Sequence, residues 1–148
     1  MALKSQIDAD LKSALLSRDG EKADVLRGLK TAILYEEVAQ KKREAGLSDE
    51  EIEKIIARES KKRVESAELF ARGGNQASAD KELREKVVLE GYLPKQLTDE
   101  ELLEIAKTEV AAAEGEAHMG KLIGAVKQKV GSQADGARIA AAVKKAIG

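Results

Sequence analysis

Few side chains in this 148-residue sequence are equipped to do chemistry. There is no Cys, which removes disulfides, thiolate metal sites and cysteine nucleophiles. His118 is the single histidine, and it is the one side chain that titrates near neutrality without help. One histidine cannot build a His-rich metal site. Neither of the common glycine-rich phosphate-loop patterns occurs. Carboxylates abound, but Lys or Arg stands three or four residues away on polar helix faces, where such groups form solvated pairs. No nucleophile, base and orienting group come together. The sequence therefore names no catalytic residue and calls for no cofactor or metal.

Anion binding is the chemistry that remains. Gly120 and Lys121, in Met119-Gly120-Lys121, fall where a helix starts. Free amide groups at such a point favour an anion, and Lys121 adds a charge there. Gly131-Ser132-Gln133-Ala134-Asp135-Gly136 repeats the arrangement before the next helix. The alternative is a pair of ordinary turns, with Asp135 as an N-cap and His118 as an exposed loop residue. Charge sharpens the question. The net charge is −1, yet residues 1–114 hold 20 Lys and Arg against 25 Asp and Glu. Residues 115–148 hold six cations, Lys121, Lys127, Lys129, Arg138, Lys144 and Lys145, against Glu116 and Asp135. A sign change of this kind fits a closing segment that meets a polyanion.

The elements that must position these groups are helices. Of the hydrophobic residues, 24 are Ala, the aromatics are Tyr35, Phe70 and Tyr92, and 36% of the chain is charged. That composition favours solvated helices with a thin core, and no stretch alternates as a strand would. A first helix is expected from about Leu3 to Arg18, and a second from about Lys22 to Glu44, ended by Gly46. Ser48-Asp49-Glu50-Glu51 reads as a capping box for a third, which breaks at Gly73-Gly74-Asn75. A fourth runs from about Ser78 to Gly91. Helices two and three are expected to form a long antiparallel hairpin about Gly46. That hairpin would set Glu37 beside Arg58 and Arg27 beside Glu68.

Pro94 cannot continue a helix and disfavours helical geometry at Leu93, so the domain boundary is placed there, giving 1–93 and 94–148. Thr98-Asp99-Glu100-Glu101 is a second capping box. A fifth helix, about Asp99 to Glu114, should bury Leu103, Ala106, Val110 and Ala113. A sixth, about Lys121 to Val130, should turn Ile123, Val126 and Val130 inward. A seventh, about Gly136 to Ile147, should turn Ile139, Val143 and Ile147 inward. No apolar run of membrane length occurs, and residues 1–15 read as an amphipathic helix, so the cytoplasm is expected.

Several runs carry a resemblance. They are Val25-Leu26-Arg27 with Glu37, Lys61-Lys62-Arg63-Val64-Glu65-Ser66 with Phe70, Glu90-Gly91-Tyr92-Leu93-Pro94-Lys95-Gln96-Leu97, Met119-Gly120-Lys121 and Ala134-Asp135-Gly136. Over essentially its full length the chain resembles the YqeY-like (GatB/YqeY) family of small bacterial proteins. The resemblance implies an all-α fold, an N-terminal helical domain followed by a three-helix tail similar to that of the B subunit of glutamine-dependent tRNA amidotransferase. It also implies a link to carbon–nitrogen ligase activity with glutamine as amido-nitrogen donor. Nothing in the chain resembles that enzyme's catalytic core or its glutaminase.

The expected ligand is tRNA or another structured RNA, held by Gly120, Lys121, Lys127, Lys129, Gly136, Arg138, Lys144 and Lys145. An amidotransferase or aminoacyl-tRNA synthetase is the expected protein partner, with neither membrane nor DNA involved. The other reading is a helical adaptor that binds a protein through the acidic first part.

Overall fold

The structure, a computed structural model, describes residues 2–115 and 118–148. Among them every regular element is helical: α1 (Ala2–Leu16), α2 (Gly20–Ala39), α3 (Asp49–Arg72), α4 (Gln76–Glu90), α5 (Asp99–Ala112), α6 (Met119–Val130) and α7 (Gly136–Ile147). One 3-10 turn, Gly131–Gln133, joins the last two helices. The chain divides into two compact units, residues 1–93 and 94–148, each with its own core.

The first unit is a pair of helical hairpins. Three residues connect α1 to α2, and Gly73-Gly74-Asn75 connects α3 to α4. Connections this short keep consecutive helices adjacent, and here each pair packs as a hairpin. The long hairpin is therefore α3 with α4, and α2 shares only a small contact with α3. This corrects the pairing expected about Gly46. The segment between α2 and α3 has nine residues and does not force adjacency. Arg63 reaches Glu85 at 3.0 Å and Glu82 at 3.8 Å across the true hairpin, and the Ser60 hydroxyl meets Glu90 at 3.4 Å.

The two ion pairs expected about Gly46 do not form. Glu37 is buried and takes Lys4 of α1 at 2.8 Å, while the Arg58 guanidinium lies 4.0 Å from its neighbour Glu59. Arg27 stays within its own helix, 3.4 Å from Asp24. The core of the unit gathers Ile7 of α1, Val25, Leu26, Leu29 and Ile33 of α2, Ile52, Ile55 and Ile56 of α3, and Leu89 of α4. Leu47, from the loop before α3, is fully buried among them.

Helix ends follow local chemistry. Ser48 accepts from the Glu51 amide at 3.2 Å, and the Glu51 carboxylate accepts from the Ser48 amide at 3.1 Å. α2 stops five residues short of expectation. Lys41 takes φ +56° there, and the Lys42 amide closes on the Glu37 carbonyl at 2.7 Å. Residues 40–44 are polar or charged throughout and exposed. They have no apolar side chain with which to pack a further turn, and propensity alone does not extend a helix.

The second unit packs α5, α6 and α7 around Leu102, Ala106, Leu122, Val126, Val130, Ala134, Ile139, Ala142 and Val143. The five-residue link between α6 and α7 makes them antiparallel, each 12 residues or about 18 Å long. In α5 it is Leu102, rather than Leu103, that is fully buried. Ile147, expected inward, is 41% exposed. No helix among the described residues is long and apolar enough to cross a membrane.

Candidate nucleic-acid interface

The segment entering the second unit is stitched to the turn that joins α6 and α7. The Leu97 amide donates to the Gln133 carbonyl at 2.9 Å. The Gln96 side chain donates to the Ser132 carbonyl at 2.9 Å and to the Pro94 carbonyl at 3.1 Å. The Gln133 side chain reaches the Lys95 carbonyl at 3.3 Å. Two runs far apart in sequence, Pro94-Lys95-Gln96-Leu97 and Ser132-Gln133-Ala134-Asp135, are thus two sides of one joint. That gives the residues at both runs a structural reason. The sequence signal was their two amide side chains beside Pro and Gly, where backbone carbonyls need donors.

Arg138 locks the same joint. Its guanidinium donates to the Leu97 carbonyl at 2.6 Å and to the Asp99 carboxylate at 2.7 Å and 3.1 Å. Asp135 accepts from the Arg138 amide at 2.8 Å, so the first turn of α7 is already capped. A resident carboxylate thus occupies the start of α7 beside Gly136, and the Arg138 fork is occupied. Lys129, on α6, pairs with Glu109 of α5. Two of the eight expected RNA-contacting residues, Lys129 and Arg138, are therefore engaged in holding the unit together, and Gly136 stands in the turn that Asp135 caps.

The remaining five differ. Lys121, Lys127, Lys144 and Lys145 are exposed, and none makes an ion pair among the described residues. Gly120 lies in the first turn of α6, where the N-cap residue His118 supplies no side-chain hydrogen bond. The amides there remain open to an anion. The antiparallel arrangement separates the two glycine turns to opposite ends of the α6–α7 pair. Gly120 and Lys121 share an end with Lys144 and Lys145, and Gly136 and Arg138 occupy the other with Lys127 and Lys129. Glu116, counted in the charge balance of this segment, lies outside the described residues.

Charge is sorted by element. α5 carries Asp99, Glu100, Glu101, Glu104 and Glu109 against Lys107. α6 and α7 together carry six cations and no carboxylate. A depression of about 480 Å³ lies between the start of α6 and the end of α7, lined by Met119, Ala141, Lys144, Lys145, Ile147 and Gly148. Glu101, in the capping box of α5, is held below the ordinary glutamate value. The main cause is the Thr98 amide it accepts from, helped by the Thr98 side chain. In the first unit, burial raises the Tyr92 phenol well above a tyrosine's usual range, as does the 2.6 Å hydrogen bond it donates to Asp10. Both shifts belong to groups that hold structure rather than to groups poised for proton transfer. Among the described residues, no three of His, Asp and Glu gather as a metal site would require.

Comparison with known proteins places the chain at the level of family. No curated protein matches the chain. The family model described as Yqey-like protein matches residues 4–147, spanning α1 to α7. With both units inside that match, the chain belongs to the Yqey-like family.

Proposed function

We propose that this chain is an RNA-binding accessory module of the bacterial cytoplasm, with folded RNA of the tRNA kind as its ligand. In this reading it serves glutamine-dependent amide transfer without performing it. The observation that carries it is the segregation of charge: α6 and α7 hold only cations, and four of the six are exposed and make no ion pair among the described residues. Lys121, Lys144 and Lys145, with the open amides at Gly120, form the principal contact. Lys127 adds a charge at the far end of α6. Lys129 and Arg138 support the fold of the unit and contribute to binding only through it, and Gly136 lies with them at the end away from the principal contact. Recognition is chiefly by phosphate charge and RNA shape, because residues 94–148 contain no aromatic side chain on which successive bases could stack.

The amide-transfer link comes from the likeness of the three-helix unit to the tail of the B subunit of tRNA amidotransferase. No glutaminase or ATP-binding centre can be built from the residues present, so any such activity belongs to a partner, an amidotransferase or an aminoacyl-tRNA synthetase. The direct test is an electrophoretic shift of unfractionated tRNA by the full chain and by a Lys144→Glu/Lys145→Glu variant. The wild type is expected to retard tRNA and the variant to lose most of that affinity. Retardation by neither, or equally by both, refutes the reading.

A further inference from the structure

The depression between α6 and α7 joins an apolar surface to a cationic one. Its floor is apolar: Met119 is 38% exposed, Ile147 is 41% exposed, and Ala141 lies bare beside them. Lys144 and Lys145 line it as well, and among the described residues no carboxylate side chain does. Lysines in a last turn suit the helix dipole wherever they occur. The dipole gives no reason for an uncovered apolar floor beside them. A volume of about 480 Å³ falls within the usual range of ligand clefts.

We infer that this shelf seats an unpaired nucleotide of a bound RNA, with the base on Met119, Ala141 and Ile147 and the flanking phosphates against Lys144 and Lys145. The inference rests on the RNA-binding reading above and narrows it to folded RNAs that expose an unstacked base. Charge selects the occupant. An apolar peptide would leave both ammonium groups unpaired, and a small inorganic anion would leave the floor uncovered. A nucleotide has a flat apolar face and an anionic backbone, so it covers the floor and pairs the ammonium groups at once.

The experiment measures fluorescence anisotropy of two RNAs of equal length with the full chain, one a blunt duplex and one carrying a single bulged nucleotide. Ala141→Glu places a carboxylate on the shelf. Ala137→Glu makes the same charge change one turn away on α7. Both positions are exposed, so neither variant disturbs the core. The wild type is expected to bind the bulged RNA about threefold more tightly, below the gain from stacking one base on an aromatic ring because the shelf is aliphatic. Ala141→Glu should abolish that preference while Ala137→Glu keeps it. Equal affinity for both RNAs, or equal effects of the two variants, overturns the shelf and leaves the RNA-binding reading standing. Binding to neither RNA overturns both.

Discussion

Lys41 ends α2 with φ +56°, in the left-handed region where a side chain is costly and glycine is not. Arg18 does the same after α1 at φ +60°. Neither residue type signals a helix stop, which is why the end of α2 was not legible in the sequence and Gly46 was taken for it. The capping residues Ser48, Thr98 and Asp135 were legible, because a short oxygen-bearing side chain before an apolar run has one structural use. Lys41→Gly should raise the stability of the first unit by about 0.5–1 kcal/mol, read as an increase in the urea midpoint. Unchanged or lower stability would contradict the geometry. Glu101 gives a pH signature. Its folded value lies below the ordinary 4.5, so its contribution is present above that value and is lost as pH falls through the folded one. Wild type should melt higher than Glu101→Gln at pH 7, with the gap closing below pH 4.5. A gap that persists in acid would mean that the charge has no part in the cap.

Helices were the most legible part of the chain, since apolar spacing, Gly breaks and caps all announced them. Their pairing was not. Periodicity says which face of a helix is buried but not against which neighbour, and the length of the connection decides that. Three residues at Gly73-Gly74-Asn75 impose the α3–α4 hairpin, whereas nine between Gln40 and Ser48 impose nothing. Ala67 and Ala79 are buried on the two helices of that hairpin, and their small size suits a close approach. Ala79→Leu should therefore overpack the hairpin and cost about 1–3 kcal/mol in urea unfolding. A neutral effect would show that α3 and α4 are not tightly apposed there. In α5 the spacing with Ala106 and Val110 pointed to Leu103, whereas Leu102 is the leucine that packs fully into the core with α6 and α7.

At the scale of the whole molecule, a net charge near zero conceals an acidic α5 beside two helices that hold only cations. The composition of the closing segment revealed the surplus. It could not reveal that Lys129 and Arg138 are spent on Glu109 and Asp99, since both partners lie in a helix tens of residues away in sequence. Nor could it show that the two glycine turns face opposite ends of the helix pair. The candidate interface is thus smaller than the list of cations suggested, resting on Gly120, Lys121, Lys127, Lys144 and Lys145. Its most direct test is the salt dependence of tRNA affinity. Four phosphate-contacting lysines give a plot of log affinity against log salt with a slope of about −3. Lys144→Ala/Lys145→Ala should flatten that slope by about 1–2, and Lys107→Ala should leave it unchanged. A slope near zero, or the same slope in all three proteins, would contradict the assignment.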